Sequence, residues 1–188
     1  SILLSGLDAA SDWIAVREGH TLRMRAALTF TGCSATVDLT GSSRLRSGDF
    51  GAGAVIQDNL VDVTDFSILA SRWNQAIDPN LGTGADATGD GVQSTADFTA
   101  IQANFLQPGD AADGCAVASS ERTRGGRRGG FADLDARRVD AGALRVPVRS
   151  LRFPEAERAD LNGDGFVDAR DIREFAKRNR LALSPAFD

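Results

Sequence analysis

The stretch Asp160-Leu161-Asn162-Gly163-Asp164-Gly165-Phe166-Val167-Asp168-Ala169-Arg170-Asp171 constrains the fold more than any other part of this 188-residue chain. Oxygen-bearing side chains fall at positions 1, 3, 5, 9 and 12 of a twelve-residue frame, with glycine at 6 and an apolar residue at 8. Aspartates packed this closely repel one another unless a cation lies among them. Calcium takes about six to eight oxygen ligands from a chain that curls tightly around it. This spacing supplies Asp160, Asn162, Asp164, the carbonyl of Phe166, Asp168 and Asp171, and Gly165 permits the turn. Behind the frame, Ile172 and Phe175 share one face of a helix.

The frame recurs twice upstream. In Asp86–Asp97 the ligands are Asp86, Thr88, Asp90, the Val92 carbonyl, Ser94 and Asp97, and Phe98, Ile101 and Phe105 follow at helical spacing. Counting back from Asp65 gives Asp58 at position 5, Asn59 at 6, Leu60 at 7 with its carbonyl, and Asp62 at 9. Ala54 and Ile56 offer no ligand at positions 1 and 3, but Asp49 can reach in over a longer Gly51-Ala52-Gly53 loop. Phe66, Leu69 and Trp73 form the apolar face behind this copy. Taken singly, an aspartate at the start of a helix is an ordinary response to the helix dipole. Three frames in register point instead to two or three calcium ions.

These loop-helix units resemble the calcium-binding repeats of type I dockerins, in which aspartate fills position 12 and an apolar-faced helix follows. The resemblance covers roughly 75 of the 188 residues. It implies EF-hand-like units that pair through strands at position 8. It also implies a cohesin-like protein partner, read by residues at positions 10 and 11, here Val63-Thr64, Thr95-Ala96 and Ala169-Arg170. The spacing departs from a simple duplication: Asp65 to Asp97 is 32 residues and Asp97 to Asp171 is 74. Loops one and two are therefore expected to pair with each other. The partner of the third is open between a degenerate unit within Asp133 to Leu144, the β layer and another molecule.

Residues 1–47 have the two-residue period of strands. Leu22, Met24, Ala26, Leu28 and Phe30 alternate with Arg23, Arg25, Ala27 and Thr29, and Ala35, Val37 and Leu39 continue after a Thr31-Gly32 turn. Trp13–Val16 and Ile2–Leu4 supply further candidates. The fold class expected is α+β, a small antiparallel β layer followed by calcium loop-helix units. The organisation is a β layer at 1–47, a calcium-binding pair at 48–118, a Gly/Arg linker at 119–130, and a second module at 131–188 with the third unit.

Charge divides the chain at Ser120: the first part carries 6 arginines and 14 acids, the rest 14 arginines, one lysine and 12 acids. Ten of the 26 acids lie at ligand positions within the three frames, so the formal charge of −5 largely reflects metal-site chemistry. The Gly/Arg segment stands in an acidic chain without an aromatic platform, so nucleic acid is not an expected partner. Acidic surface glycans, or the acidic part of a neighbouring copy, suit it better. No apolar run approaches the roughly 18 residues of a membrane span.

Calcium loops of this moderate type fill at the millimolar calcium found outside cells. An extracellular or cell-surface location is expected on that ground, and with it a Cys33–Cys115 disulfide tying the β layer to the end of the second unit. No HExxH, GxSxG or P-loop spacing occurs, and the single histidine, His20, has no partner at readable spacing, so no enzymatic activity is expected. The leading expectation is a secreted structural module for protein assembly, including a head-to-tail homopolymer. The alternative is a dockerin-type anchor that attaches a secreted enzyme to a cohesin scaffold.

Overall fold

The computed structural model describes residues 13–52, 57–77, 84–110, 144–153 and 155–187. The Ile2–Leu4 strand, the Gly/Arg linker, the Asp133 to Leu144 acids and Cys115 lie outside these. Among the described residues the fold is mixed α and β, with three helices and small antiparallel sheets.

Near the N-terminus, β1 (Trp13–Val16) pairs antiparallel with β2 (Met24–Ala27), Trp13 opposite Ala27 and Val16 opposite Met24. Met24 and Ala26 are half-buried while Arg25 and Ala27 are exposed, the alternation expected of a one-sided strand. A hairpin follows, β3 (Phe30–Thr31) against β4 (Ser34–Ala35), turning through Gly32-Cys33 with Gly32 at φ 66°. Among the described residues the small antiparallel β layer expected from the periodicity is two separate two-stranded ladders. Two local preferences explain the split. Leu22 leaves the strand to bury itself in the core, its N–H donating to the Arg46 carbonyl. Val37 and Leu39 keep the half-buried rhythm but lie outside any ladder.

Each helix begins two residues before the aspartate that the sequence reading placed at its start. Helices α1 (Val63–Ser71), α2 (Thr95–Asn104) and α3 (Ala169–Asn179) are N-capped by Asp62, Ser94 and Asp168, the position-9 residues. In all three the position-12 aspartate closes a capping box by accepting the N–H of the cap residue, at 2.7 Å for Asp65 and Asp97 and 2.9 Å for Asp171. Positions 9 and 12 thus have a folding role of their own, independent of any ligand.

The expected apolar faces meet in one core. Phe66, Leu69, Phe98, Ile101, Ile172 and Phe175 are buried, and half-buried Trp73 packs against them. Phe175 is the hub, its ring 5.3 Å from Phe66, 4.7 Å from Trp73 and 5.4 Å from Phe98, centroid to centroid. The 3₁₀ turn Ala156–Ala159 lies along α1. The tail beyond α3 is fastened to α2, where Gln102 accepts the Ser184 N–H and donates to the Ala182 carbonyl, and where Phe105 packs on Phe187.

Units one and two do pair, but each position-8 residue bonds the chain leaving the other unit's helix. Val61 exchanges backbone hydrogen bonds with Leu106 and Gln107, and Gln93 with Asn74 and Gln75. This reciprocal exchange satisfies helix-exit groups that direct pairing of Val61 with Gln93 would leave open. The third unit finds its partner just upstream: β5 (Val146–Pro147) pairs antiparallel with β6 (Phe166–Val167), Val146 opposite Val167.

Candidate metal sites

The three loops share a backbone frame that aims oxygen atoms inward. In each, the position-5 aspartate accepts the N–H of position 7: Asp58 from Leu60 at 3.0 Å, Asp90 from Val92 at 2.9 Å and Asp164 from Phe166 at 3.1 Å. Position 6 is left-handed in all three, Asn59 at φ 72°, Gly91 at 82° and Gly165 at 83°. Glycine takes that conformation freely and asparagine more readily than other residues.

Loop two gathers its acids most tightly. Asp86, Asp90 and Asp97 each place a carboxylate oxygen within 4.8 Å of the others, so the cluster can hold a metal ion. Asp86 and Asp97 are buried and Asp90 is exposed. Asp86 is set by three backbone donors, from Gly89 at 2.7 Å, Asp90 at 3.2 Å and Gly91 at 2.8 Å. Thr88 brings its hydroxyl to 3.3 Å from Asp97 Oδ1, and Ser94 brings its own to 3.3 Å from Asp97 Oδ2. Among the described residues no arginine or lysine forms an ion pair with this cluster.

Loop three has the same frame and a different charge balance. Asp160 accepts from Gly163, Asp164 and Gly165, and Asp171 accepts from Leu161 at 2.8 Å and Asn162 at 3.3 Å. Asn162 Oδ1 accepts the Asp164 N–H at 2.9 Å. Arg145, one residue before β5, lies 3.6 Å over the Phe166 ring and reaches Asp164 at 3.0 Å and Asp168 at 3.6 Å. Its guanidinium therefore offsets part of the charge at positions 5 and 9.

In loop one Asp49 takes the place left by Ala54. Its Oδ2 accepts the N–H of Asn59, at position 6, at 3.0 Å, the bond that Asp86 makes with Gly91 and Asp160 with Gly165. The β layer closes over this loop. Arg17 pairs with Asp49 Oδ2 at 2.6 Å, and the Arg23 N–H donates to Asn59 Oδ1 at 2.7 Å. Asp49, Asp62 and Asp65 are buried as a result. Burial is the largest cause that pushes the carboxyls of Asp49 and Asp62 up to about 6 and that of Asp65 well above its ordinary value. Repulsion from Asp58 adds to the first two, and repulsion from Asp62 and Asp49 to the third.

The structure thus brings together the acids chosen at loop two, the one such group among the described residues, while Leu60, Val92 and Phe166 stand at position 7 of the shared frame. Sequence reasoning missed the two arginines. A signal for Arg145 existed: with Leu144, Val146 and Val148 on one strand face, Arg145 belongs to the other. For Arg17 there was none. Cys33 is exposed and carries no disulfide among the described residues, and Cys115 lies outside them. Comparison of the chain with family models, curated proteins and solved structures finds no match.

Proposed function

We propose that this chain is a calcium-binding structural module acting outside cells, in which loops two and three take calcium and hold the helices as a platform for protein assembly. The observation that carries this reading is the Asp86–Asp90–Asp97 cluster, three convergent carboxylates with no ion-pairing side chain among the described residues. The donor set fits calcium. Asp86, Thr88, Asp90, Ser94, Asp97 and the Val92 carbonyl offer only oxygen, without the histidine or cysteine that a softer metal favours. An ion there would offset two of the cluster's three negative charges and lock α2 to its loop, since Asp97 belongs to both.

The likeness to dockerin repeats extends this reading to protein partners. Burial favours assembly over the anchor: Val63 and Ala169, at two of the position-10 sites that would face a cohesin, are inside the protein, which leaves Thr95-Ala96 as the one exposed pair. A second copy suits the charge division, because calcium in loop two brings the first part from −8 to −6 and an ion in loop three brings the rest from +3 to +5. The acids of the loops are committed to ligand and capping roles, consistent with a non-enzymatic module.

Melting and light scattering during a calcium titration test this proposal. Saturating calcium should raise the melting temperature by several degrees, as ligand binding to the native state alone requires, and excess chelator should reverse the rise. Scattering should grow with calcium if copies assemble. A melting temperature indifferent to calcium and chelator would refute the metal reading. A monomer at every calcium level would refute self-assembly.

A further inference from the structure

We propose that loop one is a third, discontinuous cation site, in which Asp49 enters from outside the twelve-residue frame as the first ligand, beside Asp58, Asp62 and Asp65. The inference rests on the calcium reading of loops two and three and extends it to a loop whose sequence lacks the first two ligand positions.

Three observations converge. The first is backbone equivalence. Besides the shared bond from position 6, the residue after Asp49 behaves as position 2: the Phe50 N–H donates to Asp65 Oδ1 at 2.5 Å, as the Leu161 N–H does to Asp171 Oδ1 at 2.8 Å. Asp49 and Phe50 therefore occupy positions 1 and 2 of the frame in space.

The second is an orphaned oxygen. Asp49 is fully buried, and its Oδ1 has no hydrogen-bond partner. The corresponding Oδ1 in loops two and three is occupied by the N–H groups of positions 4 and 5. In loop one no N–H among the described residues takes that place. A sealed carboxylate oxygen without a donor is costly unless something positive meets it. Arg17 and Asn59 both engage Oδ2, leaving Oδ1 free for a ligand.

The third is charge and access. Asp49 and Asp65 are buried and Asp58 is exposed, the pattern of Asp86, Asp97 and Asp90 in loop two. Asp49 feels the charge of Asp58, and Asp65 the charges of Asp62 and Asp49, which places the four acids in one electrostatic neighbourhood. Among the described residues one guanidinium stands against them, that of Arg17. A divalent cation offsets the remaining excess, and exposed Asp58 gives it a way in. Arg17 then pins the β layer to the site by holding Oδ2 of the first ligand.

Isothermal titration of the full chain with calcium chloride, read as the number of ions bound, tests the assignment. The wild type should bind three. Asp49→Asn and Asp58→Asn should each bind two, and so should Asp86→Asn, which removes the ion of loop two. Combining Asp49→Asn with Asp86→Asn should leave one. Because Asp58 is exposed, its variant tests the site even if Asp49→Asn fails to fold. A wild type that binds two ions, with neither loop-one variant changing that number or the affinities, would overturn this inference and leave the function proposed above standing. A wild type that binds none would overturn both.

Discussion

Replacing Phe175 with alanine is expected to cost about 3–5 kcal/mol of stability, the range for removing a buried aromatic ring that its surroundings do not refill. The ring is 3% exposed and touches Phe66, Trp73 and Phe98, so its loss opens a cavity where all three helices meet. A domain of this size has about 5–15 kcal/mol in total. The variant should therefore unfold at markedly lower urea, while Lys177→Ala on the exposed side of the same helix should stay within about 0.5 kcal/mol of the parent. The comparison also examines the division of the chain at the Gly/Arg segment. A cost under about 1 kcal/mol, well below the range for such a ring, would mean that the third unit does not pack against the first two in solution.

The metal-free chain is expected to lose stability as pH rises from about 4 to 7, opposite to the usual acid denaturation. The direction follows from loop one. The Asp49 and Asp62 carboxyls ordinarily titrate at 3.8, and in the folded chain both are raised to about 6, first by burial and then by neighbouring acids. The folded state thus holds these protons more tightly than the unfolded one. Their contribution is fully present below 3.8 and is lost as pH rises through 6. Each shift corresponds to at most about 3 kcal/mol. Urea midpoints in chelator across this window should fall with pH, and Asp62→Asn, which keeps an N-cap residue but cannot titrate, should flatten the fall. With saturating calcium the slope should reverse, since protons then compete with the ion. A metal-free midpoint that climbs steadily with pH in both proteins would show that these carboxyls are not sealed as described.

Much of the site was legible because its information is local. A twelve-residue frame fixes which oxygens converge, and the structure shows that convergence in loop two with the acids chosen from spacing, while loop three keeps the same backbone bonds. Helix faces were legible for the same reason, since Phe66, Phe98 and Ile172 each follow the position-12 aspartate of their frame directly. Helix starts were misplaced by two residues because the position-12 aspartate looks like a first helical residue, whereas it reaches back to cap Asp62, Ser94 or Asp168. What is non-local was not legible. Arg17 meets Asp49 across 32 positions, and Val61 bonds Gln107 rather than the strand of the neighbouring loop. The β layer was over-read because alternation records which side faces the core, and Leu22 satisfied that demand by leaving the ladder.

Crystals of the chain grown in calcium chloride would show whether the Asp86–Asp90–Asp97 cluster is a calcium site. Strong density is expected among these three carboxylates, with about six to eight oxygen ligands at roughly 2.3–2.6 Å that include the Val92 carbonyl. A water molecule at that point, or carboxylates turned apart towards solvent in calcium-saturated crystals, would contradict it.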